Sequence, residues 1–158
     1  MTIVRLAAAA LITLVFTGCT AAPSPIPTDD AICDPFLLTG SMNGDLTATA
    51  SDLGDPVFPL DRVVASGIIP DCTARLAVVA ADGTTLDLDV ALVNVPIADL
   101  ADQLDGITAV EEWTRDPARM IWHGPGDAGY LLALEIEEGV LLCDAPSGGI
   151  PEAWLPHG

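Results

Sequence analysis

The chain is 158 residues long, 51% hydrophobic and 4% aromatic, and sets 23 Asp and Glu against five Arg, for a formal net charge of −18. The length fits one domain, and the apolar fraction excludes a disordered acidic tail. The charge has the wrong sign for nucleic acid, whose affinity comes mainly from neutralised phosphates, and for a polybasic patch on anionic lipid.

Residues 1–18 read as a targeting segment outside the fold. Arg5 precedes an apolar run from Leu6 to Phe16, about 11 residues where a membrane-spanning helix needs about 20. The run ends in Phe16-Thr17-Gly18-Cys19. An apolar residue, two small residues and a cysteine resemble the lipobox of bacterial lipoproteins, with Phe16 in place of the usual Leu. The resemblance implies cleavage before Cys19 and a diacylglyceryl group on its thiol. It also implies attachment to the extracytoplasmic face of the cell membrane through that lipid, and it implies no activity. Two acyl chains hold a protein stably where one does so only marginally. An ordinary secretory cut near Ala21 or Ala22, or an uncleaved anchor, are the alternatives. Residues 19–31, with Pro23, Pro25 and Pro27, read as a tether that reaches some 30–40 Å if extended. A single domain then covers residues 32–158. The lack of Lys and the abundance of Ala, Asp and Gly suit a high-GC genome such as that of an actinobacterium.

Once Cys19 carries lipid, Cys33, Cys72 and Cys143 remain. Outside the cytoplasm three thiols allow one disulfide with one cysteine left over. Cys33–Cys72 is the first choice, because it would staple the domain start to the first clear strand; Cys33–Cys143, Cys72–Cys143 and no bond are the alternatives. The stretch Cys33–Thr39, with Asp71-Cys72-Thr73 later, is similar to small actinobacterial lipoproteins. That resemblance implies a paired cysteine near the domain start. Without CxxC or HxxxH spacing no metal site is expected.

In chain order, Asp34-Pro35-Phe36-Leu37-Leu38 suits a short helix, Asp as cap and Pro in the first turn. The alternation of Thr47, Thr49 and Ser51 fits an exposed edge strand. Ala74–Val93 reads as a hairpin around Ala81-Asp82-Gly83, with Gly83 left-handed. In this register Leu76 opposes Leu88, Val78 opposes Leu86, and Arg75 opposes Asp89; a one-residue slip would put Asp87 and Asp89 on the apolar face. A helix over about 96–105 follows, with Ile97, Leu100, Ala101 and Leu104 in one stripe. Asp99, Asp102 and Asp105 lie on its solvated side, and Gly106 acts as the stop. Ile107–Trp113 and Arg119–His123 read as strands, and Tyr130–Glu137 with Val140–Asp144 as a second hairpin. A three-residue loop there turns Cys143 away from the core set, and a two-residue loop turns it in. The tail Pro151–Pro156 suits one turn that docks Trp154. The fold class is α+β: a mostly antiparallel sheet with one main helix packed on a face.

No residue is assigned a catalytic role. None of the serines lies in G-x-S-x-G, there is no P-loop and no EF-hand loop, and the GxGxxG spelled by Gly124-Pro125-Gly126-Asp127-Ala128-Gly129 is a connecting loop between predicted strands that opens no helix, so no cofactor is expected. His123 beside Gly124-Pro125-Gly126 reads as a strand-end residue, His157 as part of the tail, and Ser147-Gly148-Gly149 as a turn. Trp113, Trp122, His123 and Tyr130 lie on neighbouring predicted strands. Exposed together they would form a platform for an envelope protein or a glycan; buried, they are core. The reading that follows is a non-enzymatic cell-envelope lipoprotein whose acidic domain binds a partner or ligand. An envelope hydrolase acting on cell-wall material, or a lipid or glycolipid carrier, are the alternatives.

Overall fold

The computed structural model describes residues 31–116, 118–145 and 149–156. The targeting segment, Cys19, the tether up to residue 30, Ser147 and His157 lie outside the described residues. The chain runs α1 (Pro35–Thr39), β1 (Leu46–Ser51), α2 (Leu60–Ala65), β2 (Cys72–Ala80), β3 (Thr85–Val93), α3 (Ile97–Thr108), β4 (Thr114–Asp116), β5 (Ile121–His123), β6 (Tyr130–Ile136) and β7 (Gly139–Ala145). The strands form one antiparallel sheet of seven in the order β1-β2-β3-β7-β6-β5-β4. Two meanders, β1-β2-β3 and β4-β5-β6-β7, thus meet where the last strand of each pairs, β3 against β7.

The first hairpin has the register that its pattern dictates: Leu76 opposite Leu88, Val78 opposite Leu86 and Arg75 opposite Asp89. Gly83, at φ 85°, holds the left-handed turn, and its N–H donates to Ala80 O at 2.9 Å. At α1 the Phe36 N–H donates to the cap carboxylate of Asp34 at 2.9 Å. In the second hairpin Ile136 opposes Gly139, so the loop is the two residues Glu137-Glu138 and Cys143 turns into the core. Gly139 sits at φ 148°; a Cβ there would stand 2.7 Å from Val93 O.

The sheet has a core on each face. One gathers Leu38 of α1, Leu76, Leu88, Leu132 and Cys143 under Trp154 of the tail. The other packs Leu100 and Leu104 of α3 with Leu60 and Val63 of α2 onto Trp122, Leu131 and Leu142. The central strands are therefore apolar on both sides, as β7 shows by being buried at six of its seven positions.

Two expectations are corrected. Gly106 does not stop α3, which runs on to Thr108; a 3₁₀ turn over Ala109–Glu111 follows. The stop comes at Glu112, left-handed at φ 61°. Ile107–Trp113 is therefore no strand. Its apolar residues serve the end of the helix, with the Trp113 N–H bonded to Thr108 O at 3.2 Å, and β4 starts at Thr114. The short helix α2 adds an element to those expected from the sequence.

The disulfide joins Cys33 to Cys72, whose Cα atoms are 5.0 Å apart. Beside it Ile32 makes a parallel bridge to Thr73. Cys143 is free and buried.

Candidate functional site

The four aromatic and histidine residues singled out by the sequence do not share a surface. Trp122 is completely buried and Trp113 nearly so, both in the core under α3. His123 and Tyr130 meet edge-on, ring centroids 4.7 Å apart, and Tyr130 packs against the core on the opposite face. Strand alternation explains the split, since Trp122 and His123 are consecutive in β5 and must point to opposite sides.

Trp122 belongs instead to a polar knot under α3. Its indole N–H donates to Asp105 Oδ1 at 2.7 Å, while Arg115 Nη1 donates to Asp105 Oδ2 at 2.7 Å. The Arg115 guanidinium lies over the Trp122 ring, 5.4 Å from its centroid. Asp105 is thus half-buried where Asp99 and Asp102 are exposed, and it ties the last turns of α3 to β4 and β5.

Trp122 and Arg115 end a row of cross-strand neighbours that spans the sheet: Ser51, Arg75, Asp89, Asp144, Leu131, Trp122 and Arg115. At its centre Asp89 and Asp144 are 2% and 1% exposed. Arg75 grips Asp89 through Nε at 2.7 Å and Nη2 at 2.9 Å. Neither oxygen of Asp144 has a hydrogen-bond partner among the described residues. Burial first, and the Asp89 charge second, push the Asp144 carboxyl up to about 7. Burial also raises the Cys143 thiol, so the free cysteine is a poor nucleophile. Among the described residues no group of three or more His, Cys, Asp or Glu is placed to hold a metal ion. No described helix is long and apolar enough to cross a membrane.

A surface cleft of about 670 Å³ lies between α2 and α3, within the size range of small-molecule sites. Leu60 and Val63 bury the inner side of α2, which leaves Arg62, Ala65 and Ser66 along one wall. Gln103, Gly106, Ile107, Val110 and Glu111 form the other wall, and Phe58 closes one end. The Phe58 ring rests edge-on against Trp113 at 5.7 Å. A Cβ on Gly106 would meet nothing within 4 Å, and Val110 is 78% exposed. Arg75 and Arg115 each hold a carboxylate at 2.7 Å, and Arg119 is bonded to Glu152. Arg62 stands apart: its nearest carboxylate is Asp61 at 3.6 Å, and its side chain is 63% exposed. The cleft thus joins an apolar floor to the least engaged arginine among the described residues of a strongly acidic chain. The sequence could have shown this wall only through the pair Leu60 and Val63, too short a stripe to declare a helix.

Comparison with models of protein families, with curated proteins and with solved structures finds no match.

Proposed function

We propose that this chain is a lipoprotein of the cell envelope, attached through Cys19 to the extracytoplasmic face of the membrane, and that its domain is a non-enzymatic binding module. The observation that carries the binding role is the α2–α3 cleft, with Phe58, Ile107 and Val110 as apolar lining and Arg62 at the rim. This pairing suits an amphipathic ligand with an anionic group, whose charge Arg62 would meet while the apolar body replaces water on the floor. Glu111, on the opposite wall, favours a ligand whose charge sits at one end. The apolar floor also favours a second reading, a lipid or glycolipid carrier that holds one chain in this cleft.

Calorimetric titration with dodecyl phosphate below its micellar concentration tests the reading. Saturable binding is expected, weakened about fivefold by Arg62→Gln, the worth of one exposed ion pair. Gly106→Leu fills the cleft and should abolish it. Binding indifferent to both substitutions, or no binding, would overturn the cleft assignment. For the anchor, the chain should take up an alkyne-tagged fatty acid in cells and Cys19→Ser should not; label retained by that variant would refute lipidation at Cys19.

A further inference from the structure

β1 is one edge of the sheet, and among the described residues no strand pairs with its outer side. Natural edges are usually short, charged, bulged, interrupted by proline or covered. The opposite edge follows that rule, because β4 is three residues long. β1 does not: Leu46-Thr47-Ala48-Thr49-Ala50-Ser51 pairs with β2 without a break and contains neither charge nor proline. In an antiparallel ladder alternate residues turn both N–H and C=O outward; with the Leu46 N–H already bonded to Gly44 O at 3.1 Å, β1 offers about two donors and three acceptors along roughly 20 Å. Leu46, Ala48 and Ala50 are half-buried at the rim of the core under α1 and the tail, and an added strand would complete their burial. Asp45 and Asp52, both exposed, stand at the two ends.

We propose that β1 is a strand-addition site for an extended segment of a partner protein that carries aliphatic residues at alternate positions and Lys or Arg at both ends. The flanking charges choose this occupant over a second copy of the chain. If two copies of β1 paired antiparallel along their whole length, Asp45 of one would face Asp52 of the other at both ends, and like charges opposed across a ladder destabilise it. Each copy also has a net charge of −18. A segment with basic ends turns both repulsions into attractions, and the rest of the acidic chain steers it in.

The probe is a synthetic peptide, Arg-Thr-Val-Thr-Val-Thr-Val-Arg, which paired antiparallel sets its valines beside Leu46, Ala48 and Ala50 and its arginines opposite Asp45 and Asp52, beside the same sequence with Glu at both ends. Binding to the full chain is read by fluorescence anisotropy and located by hydrogen exchange. The Arg-ended peptide should slow exchange over residues 46–51, and the Glu-ended peptide should bind about tenfold more weakly. Methylating the peptide amides that face β1 should abolish binding. The variant Asp45→Lys/Asp52→Asn should erase the preference. Asn keeps an acceptor for the Gly54 N–H, which Asp52 Oδ1 binds at 3.0 Å, so the turn after β1 is spared. The proposal is overturned by absent binding at millimolar peptide, by protection elsewhere in the sheet, by equal affinity for both peptides, or by self-association of the chain through residues 46–51.

Discussion

Asp89 and Asp144 oppose each other across the central β3–β7 ladder, and Arg75 hydrogen-bonds only Asp89. One carboxylate is matched, and its neighbour is buried without a partner among the described residues. Such a pair favours a single negative charge, since a second would lie beside the first in a medium that screens it poorly.

The consequence is a stability that falls as pH rises. In the fold Asp144 holds its proton to about 7, against an ordinary 3.8. Between those values the folded chain binds more protons than the unfolded one, so raising the pH favours unfolding; above the window the loss levels off. Linkage puts the loss at roughly 4 kcal/mol. Denaturant unfolding from pH 4.5 to 8.5 should show Asp144→Asn gaining on the native chain across this window. Parallel stability curves would refute the assignment.

Asp105 holds the indole of Trp122 and the guanidinium of Arg115 at once. Asp105→Ala should therefore cost about 1–3 kcal/mol, because it strands the donor of a buried ring. Asp105→Asn keeps an acceptor and should cost less. Urea midpoints followed by tryptophan fluorescence distinguish the two, and equal losses would show that the knot contributes only its charge.

The Cys33–Cys72 bond closes a loop of sequence separation 39, worth about 3–4 kcal/mol by chain entropy. Reduction should lower the unfolding free energy by that amount. In a Cys19→Ser chain kept oxidised, iodoacetamide should label no thiol while folded and one, Cys143, when unfolded. Fast labelling of the folded chain would contradict a buried thiol whose ionisation is suppressed.

The parts of the fold legible in sequence are those with one wet face. The β2–β3 register could be read because exposed Ala77 and Val79 alternate with buried Leu76 and Val78, so only one phase sets Leu86 and Leu88 opposite the buried pair. The β6–β7 register could not, because both faces of β7 are covered and Leu141 and Leu142 satisfy either phase. The same two-sided burial hid the fate of Trp122. Gly106 misled because it has low helix propensity, which the packing of Leu104 and Thr108 under the same helix overrides. The cleft was illegible because it is a space between two helices distant in sequence, and one of them spans only Leu60–Ala65.

The junction at the start of the domain also decides where a mechanical load would travel. A pull arriving through the chain before residue 31 meets the hydrogen bond from the Thr73 N–H to Ala31 O, and then the covalent crosslink from Cys33 to Cys72. Force therefore passes straight into β2, which is laced to β1 on one side and β3 on the other. The loop that carries α1, β1 and α2 is shunted out of the line of tension. The cleft wall and the open edge strand would keep their shape while the sheet bears the strain.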